Sequence, residues 1–447
     1  MTGRTPHGLL YSISSFGISL SSFVVSTYIS YFYIALMGLP PRWVGWGLFA
    51  FSWWNAFNDA VVGWLSDRTR TRWGRRIPYI FTLTLPLALS FVGLWTPPFS
   101  RTQPVWLFAY MMAVVTIHDL LYTLVGVNVA ALFPEMFPSL AERARVNGWR
   151  QIMSLLGMLV GVVAAPLIAS RMGWRGMGLL FGLAIVLTLS LSLRGSREHL
   201  AYSRGGGQAS PWGAWRRALE QRAFVVFLGI TFLIRLALTT LNSTMPFYAS
   251  YVLGLGPDGA AWLLGSALLV ALLAMQPWAC LLARWGARGT ALAAQLAVGM
   301  AVLPLLAAQN LATAVAAAGL AGVSLAGLLI TPEVLLAEVI DADHASTGQR
   351  HEGVYFGLGN VVNRLPNVLQ AAGIGELLAW SGFDPSLATQ PAGVVTGLRL
   401  LIGGVPAAAL AVAALLTLAY PLHGEQLTRI KAQVTILRAA AERGCEA

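Results

Sequence analysis

Within an apolar stretch, Asn55, Asn58 and Asp59 stand at i, i+3 and i+4, a spacing that places all three on one face of a helix. Two amide oxygens and a carboxylate can surround a hard cation, and the carboxylate alone can hold a proton. An ionisable side chain inside a spanning helix marks a functional site by default, because charge at that depth is costly. The competing reading is a polar face that glues helices together. Downstream, Asp67 runs into Arg68, Gly74, Arg75 and Arg76, so one segment joins a buried acid to a basic turn. A second polar set, Thr116, Asp119, Tyr122 and Thr123, recurs a turn apart in another apolar run. His118 does not share its face with Asp119, since consecutive helix residues diverge, and is assigned to packing. Ser12, Ser15, Ser19, Ser22 and Ser26 form a stripe that can line a water-filled path or permit close helix approach. Asn360, Asn363, Arg364, Asn367 and Gln370 make a later stripe that is too long to face lipid.

The elements that must hold these residues are membrane spans. Hydrophobic residues make up 57% of the 447 residues and charged ones 11%, whereas soluble domains carry about a quarter charged residues. At roughly 20 apolar residues per span, the chain suits about twelve transmembrane helices. It is expected to be an all-α polytopic protein, because backbone polar groups in lipid must be satisfied within each segment. The Leu9 to Met37 stretch is too long for a cleavable signal and reads as the first span. The net charge of +11 sits in short loops instead of one soluble patch, which fits positive-inside bias better than nucleic-acid binding. Cys280 in an apolar span and Cys445 in the tail suggest neither a disulfide framework nor a metal site. No nucleophile, base and orienting group come together in the pattern, so no enzyme and no cofactor are expected.

The expected organisation is a six-helix bundle over 1–194, a polar arginine-bearing linker over 195–222, a second six-helix bundle over 223–420 and an amphipathic tail over 421–447. Pro134-Glu135 and Pro332-Glu333, with arginine turns at Asp67 to Arg76 and Ala283 to Arg288, recur at matching places in each half and indicate a parallel repeat. Arginines crowd alternate loops, while the opposite loops hold little beyond Arg42, Arg101, Arg171 and Arg175. This asymmetry predicts a multi-pass protein of the cell inner (plasma) membrane with both termini cytoplasmic. The tail carries Leu427, Ile430, Val434 and Leu437 on one face, which suits either an interfacial helix or a loose terminus. Arg235 and Glu376 are further charges in apolar surroundings, fit either to line the pathway or to snorkel and pair.

The run from Asn58-Asp59 through Gly63-Trp64, Asp67-Arg68-Thr69-Arg70, Arg72 and Gly74-Arg75-Arg76 to Pro78-Tyr79 is similar to the second-helix signature of the glycoside–pentoside–hexuronide:cation symporters. These form the melibiose-permease-like branch of the major facilitator superfamily. The loops Pro134 to Arg150 and Pro332 to Tyr355 resemble the same family's fourth-to-fifth and tenth-to-eleventh connections. The resemblance implies the major facilitator fold, with twelve transmembrane helices in two six-helix bundles. It also implies cation-coupled symport of glycosides or related polar organic solutes by alternating access, with H+ or Na+ as the coupling ion. The expected partners are a small-molecule substrate and membrane lipid, with the protein a monomer.

The family's cation site maps onto Asn55, Asn58, Asp59 and Thr116, with Asn55 standing where the family has its first acid. Fewer anionic ligands weaken the case for sodium, and desolvation favours the protonated form of a lone carboxylate, which favours proton coupling. The family's sugar-binding acid in span four maps onto Asp119, its arginine early in span five onto Arg150 and its lysine in span eleven onto Arg364. Its acid in span one falls on Ser19 and its span-four tryptophan on Thr123. The spacing adds Tyr122, Asn360 and Asn363 to the expected substrate-binding set. Asp67, Arg68, Gly74, Arg75 and Arg76 in the first half, with Arg350 and Glu352 in the second, are expected to gate the inner side through contacts made in one state and broken in the other. The alternatives are transport of a lysolipid-like amphiphile, which relatives of the branch carry, and a non-transporting sensor on the same fold.

Overall fold

The computed structural model describes residues 5–51, 54, 62, 74, 76–137, 140–196, 211–256, 258–347, 352–387 and 389–445. The fold is all-helical. The first half contains α1 (Thr5–Ser12), α2 (Ser14–Tyr31), α3 (41–51), α4 (Ile77–Leu94), α5 (Pro104–Met136), α6 (Leu140–Leu159) and α7 (Ala165–Gly195). The rest comprises α8 (Pro211–Glu220), α9 (Arg222–Tyr251), α10 (Asp258–Val302), α11 (Leu311–Thr347), α12 (Glu352–Val362), α13 (Leu365–Trp380), α14 (Ala392–Arg399), α15 (Val405–Leu418) and α16 (Gly424–Cys445).

Among the described residues, eight helical stretches are long and apolar enough to cross a membrane. Two of them are interrupted by a kink at a glycine, Gly173 in α7 (φ 73°) and Gly286 in α10 (φ 71°), where a side chain would strain the positive-φ backbone. The arginine turn expected at Ala283 to Arg288 is the second of these. There Arg288 donates from Nε to the Thr417 carbonyl (3.0 Å) and from Nη2 to the Leu418 carbonyl (2.5 Å), capping the C-terminal end of α15.

The chain divides into two compact units. One comprises Met1–Gly206, Asn242–Gly265 and Ala371–Leu398; the other comprises Gly207–Leu241, Ser266–Gln370 and Arg399–Ala447. In the first unit, α2 lies against α6 at Gly157 and against the turn that follows α6 at Gly161. A Cβ on Gly157 would collide with the Phe16 carbonyl oxygen, and one on Gly161 would sit 3.1 Å from that of Leu20. Close backbone approach supplies packing where lipid offers no hydrophobic drive between helices, so the Gly157/Gly161 spacing is structural.

The chain between α6 and α7, Val160–Ala164, is a π-helical turn. Pro166 follows it and has no N–H to offer the Val162 carbonyl four residues back. The buried Tyr28 hydroxyl donates to that carbonyl at 2.5 Å. Around this point Trp95 and Trp174 stack 5.3 Å apart, with Phe32 and Tyr28 at their edges.

In the second unit, the C-terminal half of α11 is held by side chains from three other segments of the chain. Tyr420 Oη donates to the Leu335 carbonyl (3.1 Å), Gln221 Nε2 to that of Val339 (3.3 Å) and Gln433 Nε2 to that of Ala345 (3.0 Å). The tail helix α16 therefore docks on α11, with Lys431 Nζ 3.8 Å from the buried Glu338 and Val434 buried.

Candidate functional site

The α5 set is built around His118. Its buried ring accepts or donates on both nitrogens, with Nε2 3.2 Å from Ser21 Oγ of α2 and Nδ1 3.0 Å from Ser90 Oγ of α4. That matches the packing role expected from its position, and it fixes the rotation of α5. Asp119, one residue on, points about 100° away around the helix and is half-buried, as are Thr116 and Tyr122; the Tyr122 ring, a turn after His118, lies 6.4 Å from the His118 ring. Thr123 is buried. Asn55, Asn58 and Asp59 lie outside the described residues, so of the expected cation ligands the structure places Thr116.

Ser19 sits on α2 with its Oγ 2.5 Å from Ser154 Oγ on α6. Arg150 lies one turn before Ser154 on the same face of α6. Its guanidinium carbon stands 4.9 Å from the Phe133 ring centre and 5.9 Å from that of Tyr11, within cation–π range. Arg150 Nε is buried without a hydrogen-bond partner among the described residues. Ser12 is buried and donates to the Gly8 carbonyl at 2.8 Å, whereas Ser26 is exposed. The serine stripe thus passes from helix packing at one end to an open surface at the other.

The expected stripe on one continuous span eleven is corrected by the structure. α12 stops at Val362 and α13 starts at Leu365, leaving Asn363 and Arg364 in the break. Pro366 is the cause: it has no N–H to donate to the Val362 carbonyl four residues back, and it sits where a proline is tolerated, in the first turn of a new helix. The backbone stays bonded through the break, with Asn363 N–H donating to Gly359 (2.9 Å) and Arg364 N–H to Val361 (3.3 Å). Asn360 and Asn367 are exposed, and Asn363 and Arg364 half-buried. Asn363 Oδ1 and Gln370 Nε2 are buried without a partner among the described residues. A buried amide atom left unbonded calls for an explanation.

Of the expected gating residues, Asp67, Arg68, Arg75 and Arg350 lie outside the described residues. Gly74 is present at φ 102°, Arg76 is buried just before α4, and Glu352 opens α12.

Sequence reasoning missed the contacts at the end of the first unit remote from the arginine-rich loops. Arg42 Nε reaches Glu376 Oε1 (3.0 Å) and Oε2 (3.2 Å), Arg42 Nη2 reaches Oε2 (2.9 Å), and Trp46 Nε1 donates to Oε1 (2.6 Å). Nearby, Tyr31 Oη and Ser250 Oγ are 2.8 Å apart, and Ser243 Oγ donates to the Ser26 carbonyl (2.9 Å). The available signals were an acid in an apolar run and an arginine in a loop otherwise poor in arginine.

The pattern of the MFS/sugar transport protein family matches residues 10–424. The chain belongs to that family. This membership makes it a membrane transporter and not an enzyme. The isoprimeverose transporter of Lactiplantibacillus pentosus is 26% identical over 88% of this chain and 79% of its own length. An uncharacterized symporter of Synechocystis is 34% identical over 166 residues, 36% of this chain, and the match spans only 30% of that relative. A sodium-dependent lysophosphatidylcholine symporter of Xenopus tropicalis is 21% identical over 96% of this chain and 90% of that protein. Among solved structures, a bacterial homologue of the human lysosomal transporter Spinster, in an inward-facing and occupied conformation, superposes with a TM-score of 0.69. It is 14% identical and covers 94% of this chain and 97% of that one. Nucleoside transporter NupG superposes at 0.63 with 11% identity over 93% and 98%. These likenesses establish the major facilitator fold.

Proposed function

We propose that the protein is a cation-coupled symporter of glycosides or related polar organic solutes, working by alternating access between two six-helix halves, 1–194 and 223–420. The observation that carries the reading is the two-residue interruption of the span at Asn363–Arg364, with Asn363 Oδ1 and Gln370 Nε2 buried beside it without a partner among the described residues. Discontinuous helices mark substrate sites in secondary transporters, and buried donors and acceptors awaiting partners suit a hydroxyl-rich solute. Asp119 and Tyr122 on α5, with Ser19 and Arg150, form the substrate set of the first half. Asn360, Asn363 and Arg364 form that of the second.

Asn55, Asn58, Asp59 and Thr116 hold the coupling ion. A single carboxylate in this set favours H+ over Na+. Loop charge puts both termini on the cytoplasmic side of the inner membrane, and hence the Arg42–Glu376 end on the outside. The protein works as a monomer.

The similarity to a lysophosphatidylcholine symporter favours a second reading, an amphiphilic substrate. Purified protein in liposomes, offered labelled glycosides and lysolipids in parallel, separates the two. Glycoside flux supports the first reading, lysolipid flux alone replaces it with the second, and binding without flux leaves a sensor.

A further inference from the structure

Three N–H groups converge on one carboxylate at Glu376, Nε and Nη2 of Arg42 and Nε1 of Trp46, with the Arg42 Nε–H shared between both oxygens. This carboxylate stands near the end of α13, while its partners belong to the first turns of α3, 334 and 330 residues earlier. The backbones beneath the clamp are seated on glycine. A Cβ on Gly45 would lie 2.9 Å from the Ala371 carbonyl oxygen and 3.0 Å from Gly375 Cα, and one on Gly375 would lie 2.6 Å from the Pro41 carbonyl oxygen. Alongside, α2 meets α9 through Tyr31–Ser250 and Ser26–Ser243. An aromatic plug follows, with Tyr31 packed edge-on against Phe247 (5.2 Å) and Tyr251 edge-on against Phe383 (5.0 Å).

The chemistry of the clamp differs from that of its seat. The glycine contact gives a shape that fits in one position only. The carboxylate clamp is directional but open to water, with side-chain exposures of 55% for Arg42 and 34% for Glu376. A buried ion pair broken on one side leaves an uncompensated charge at great cost. A half-exposed pair exchanges its donors for water at little cost, which suits a contact that must open and close in every cycle. Arginine is also scarce in the loops of this end. Arg101 of the same end is committed to the Leu36 carbonyl (2.8 Å), whereas Arg42 is committed to Glu376.

We propose that Glu376, held by Arg42 and Trp46, is the release latch of the outer mouth of the transport path, and that its opening exposes the α2–α9 contact behind it. This inference rests on the alternating-access reading and the orientation given above. It is tested in a Ser243→Cys variant whose native Cys280 and Cys445 are replaced by serine. The probe is a membrane-impermeant maleimide applied from outside to intact cells, and separately to inside-out vesicles, without substrate.

Glu376→Gln and Arg42→Gln should each speed outside labelling about two- to five-fold, the factor that an exposed pair of good geometry contributes to an equilibrium. The double variant should add little beyond either single one. Gly45→Ala, which pries the seat apart without touching the charges, should act in the same direction. Labelling unchanged in both charge variants, additive effects in the double variant, or a rise confined to inside-out vesicles would overturn the latch. Because no substrate is present, the labelling result does not depend on whether glycoside flux is found, and the latch and the glycoside reading can fail separately.

Discussion

Tyr28→Phe removes one hydroxyl from the first unit, and the structure says what that should cost. The Val162 carbonyl cannot draw on Pro166 for a helical donor, and Tyr28 supplies one at 2.5 Å in a position closed to water. A buried acceptor stripped of its partner costs about 1–3 kcal/mol. Interhelical hydrogen bonds measured in membranes average nearer 0.6 kcal/mol, so a loss of about 1 kcal/mol is expected. The control is Pro166→Ala, which restores an N–H four residues after Val162. In that background Tyr28→Phe should cost distinctly less, because the carbonyl has recovered a helical donor. The assay is thermal or denaturant unfolding of the four purified proteins in one detergent, read as a double-mutant cycle. Equal stability of wild type and Tyr28→Phe, or the same penalty in both backgrounds, would refute the reasoning.

Gly157→Ala should destabilise the protein by about 1–3 kcal/mol through overpacking, seen as a lowered unfolding midpoint, because the new methyl meets the Phe16 carbonyl; Gly148→Ala, where nothing lies within 4 Å, should not. Asp119→Asn and Arg364→Ala should each weaken binding of the transported solute about ten-fold or more, the loss of a charged hydrogen bond at about 1.5–3 kcal/mol, measured by equilibrium binding to purified protein. Unchanged affinity in both would remove these residues from the site.

The sequence made the all-helical membrane class, the family and two packing roles legible, because those depend on composition and on spacing within one helix. His118 was separable from Asp119 by helical geometry alone, and its bonds to Ser21 and Ser90 show why. The Gly157/Gly161 pair was readable as packing for the same reason. The break in span eleven was hidden because periodicity counts polar positions and is blind to one proline among them; Pro366 sits inside the stripe it interrupts. Glu376 was legible as a charge fit to pair, but not its partners, which are over 300 residues away with no local pattern to connect them. The tail had two open readings, an interfacial helix or a loose end. The structure shows a third outcome, a helix docked on α11 through Gln433, Lys431 and Val434.

The central claim is that solute movement is driven by a cation bound at Asp59. The most direct measurement is uptake of a labelled glycoside by proteoliposomes in sodium-free buffer, with a pH gradient imposed, acid outside. Accumulation above the external concentration is expected, abolished in Asp59→Asn while equal-concentration exchange persists, and Asn55→Asp should add sodium dependence by supplying a second anionic ligand. Strict sodium dependence in the wild type would contradict the proton assignment, and undiminished uphill uptake by Asp59→Asn would contradict the coupling site itself.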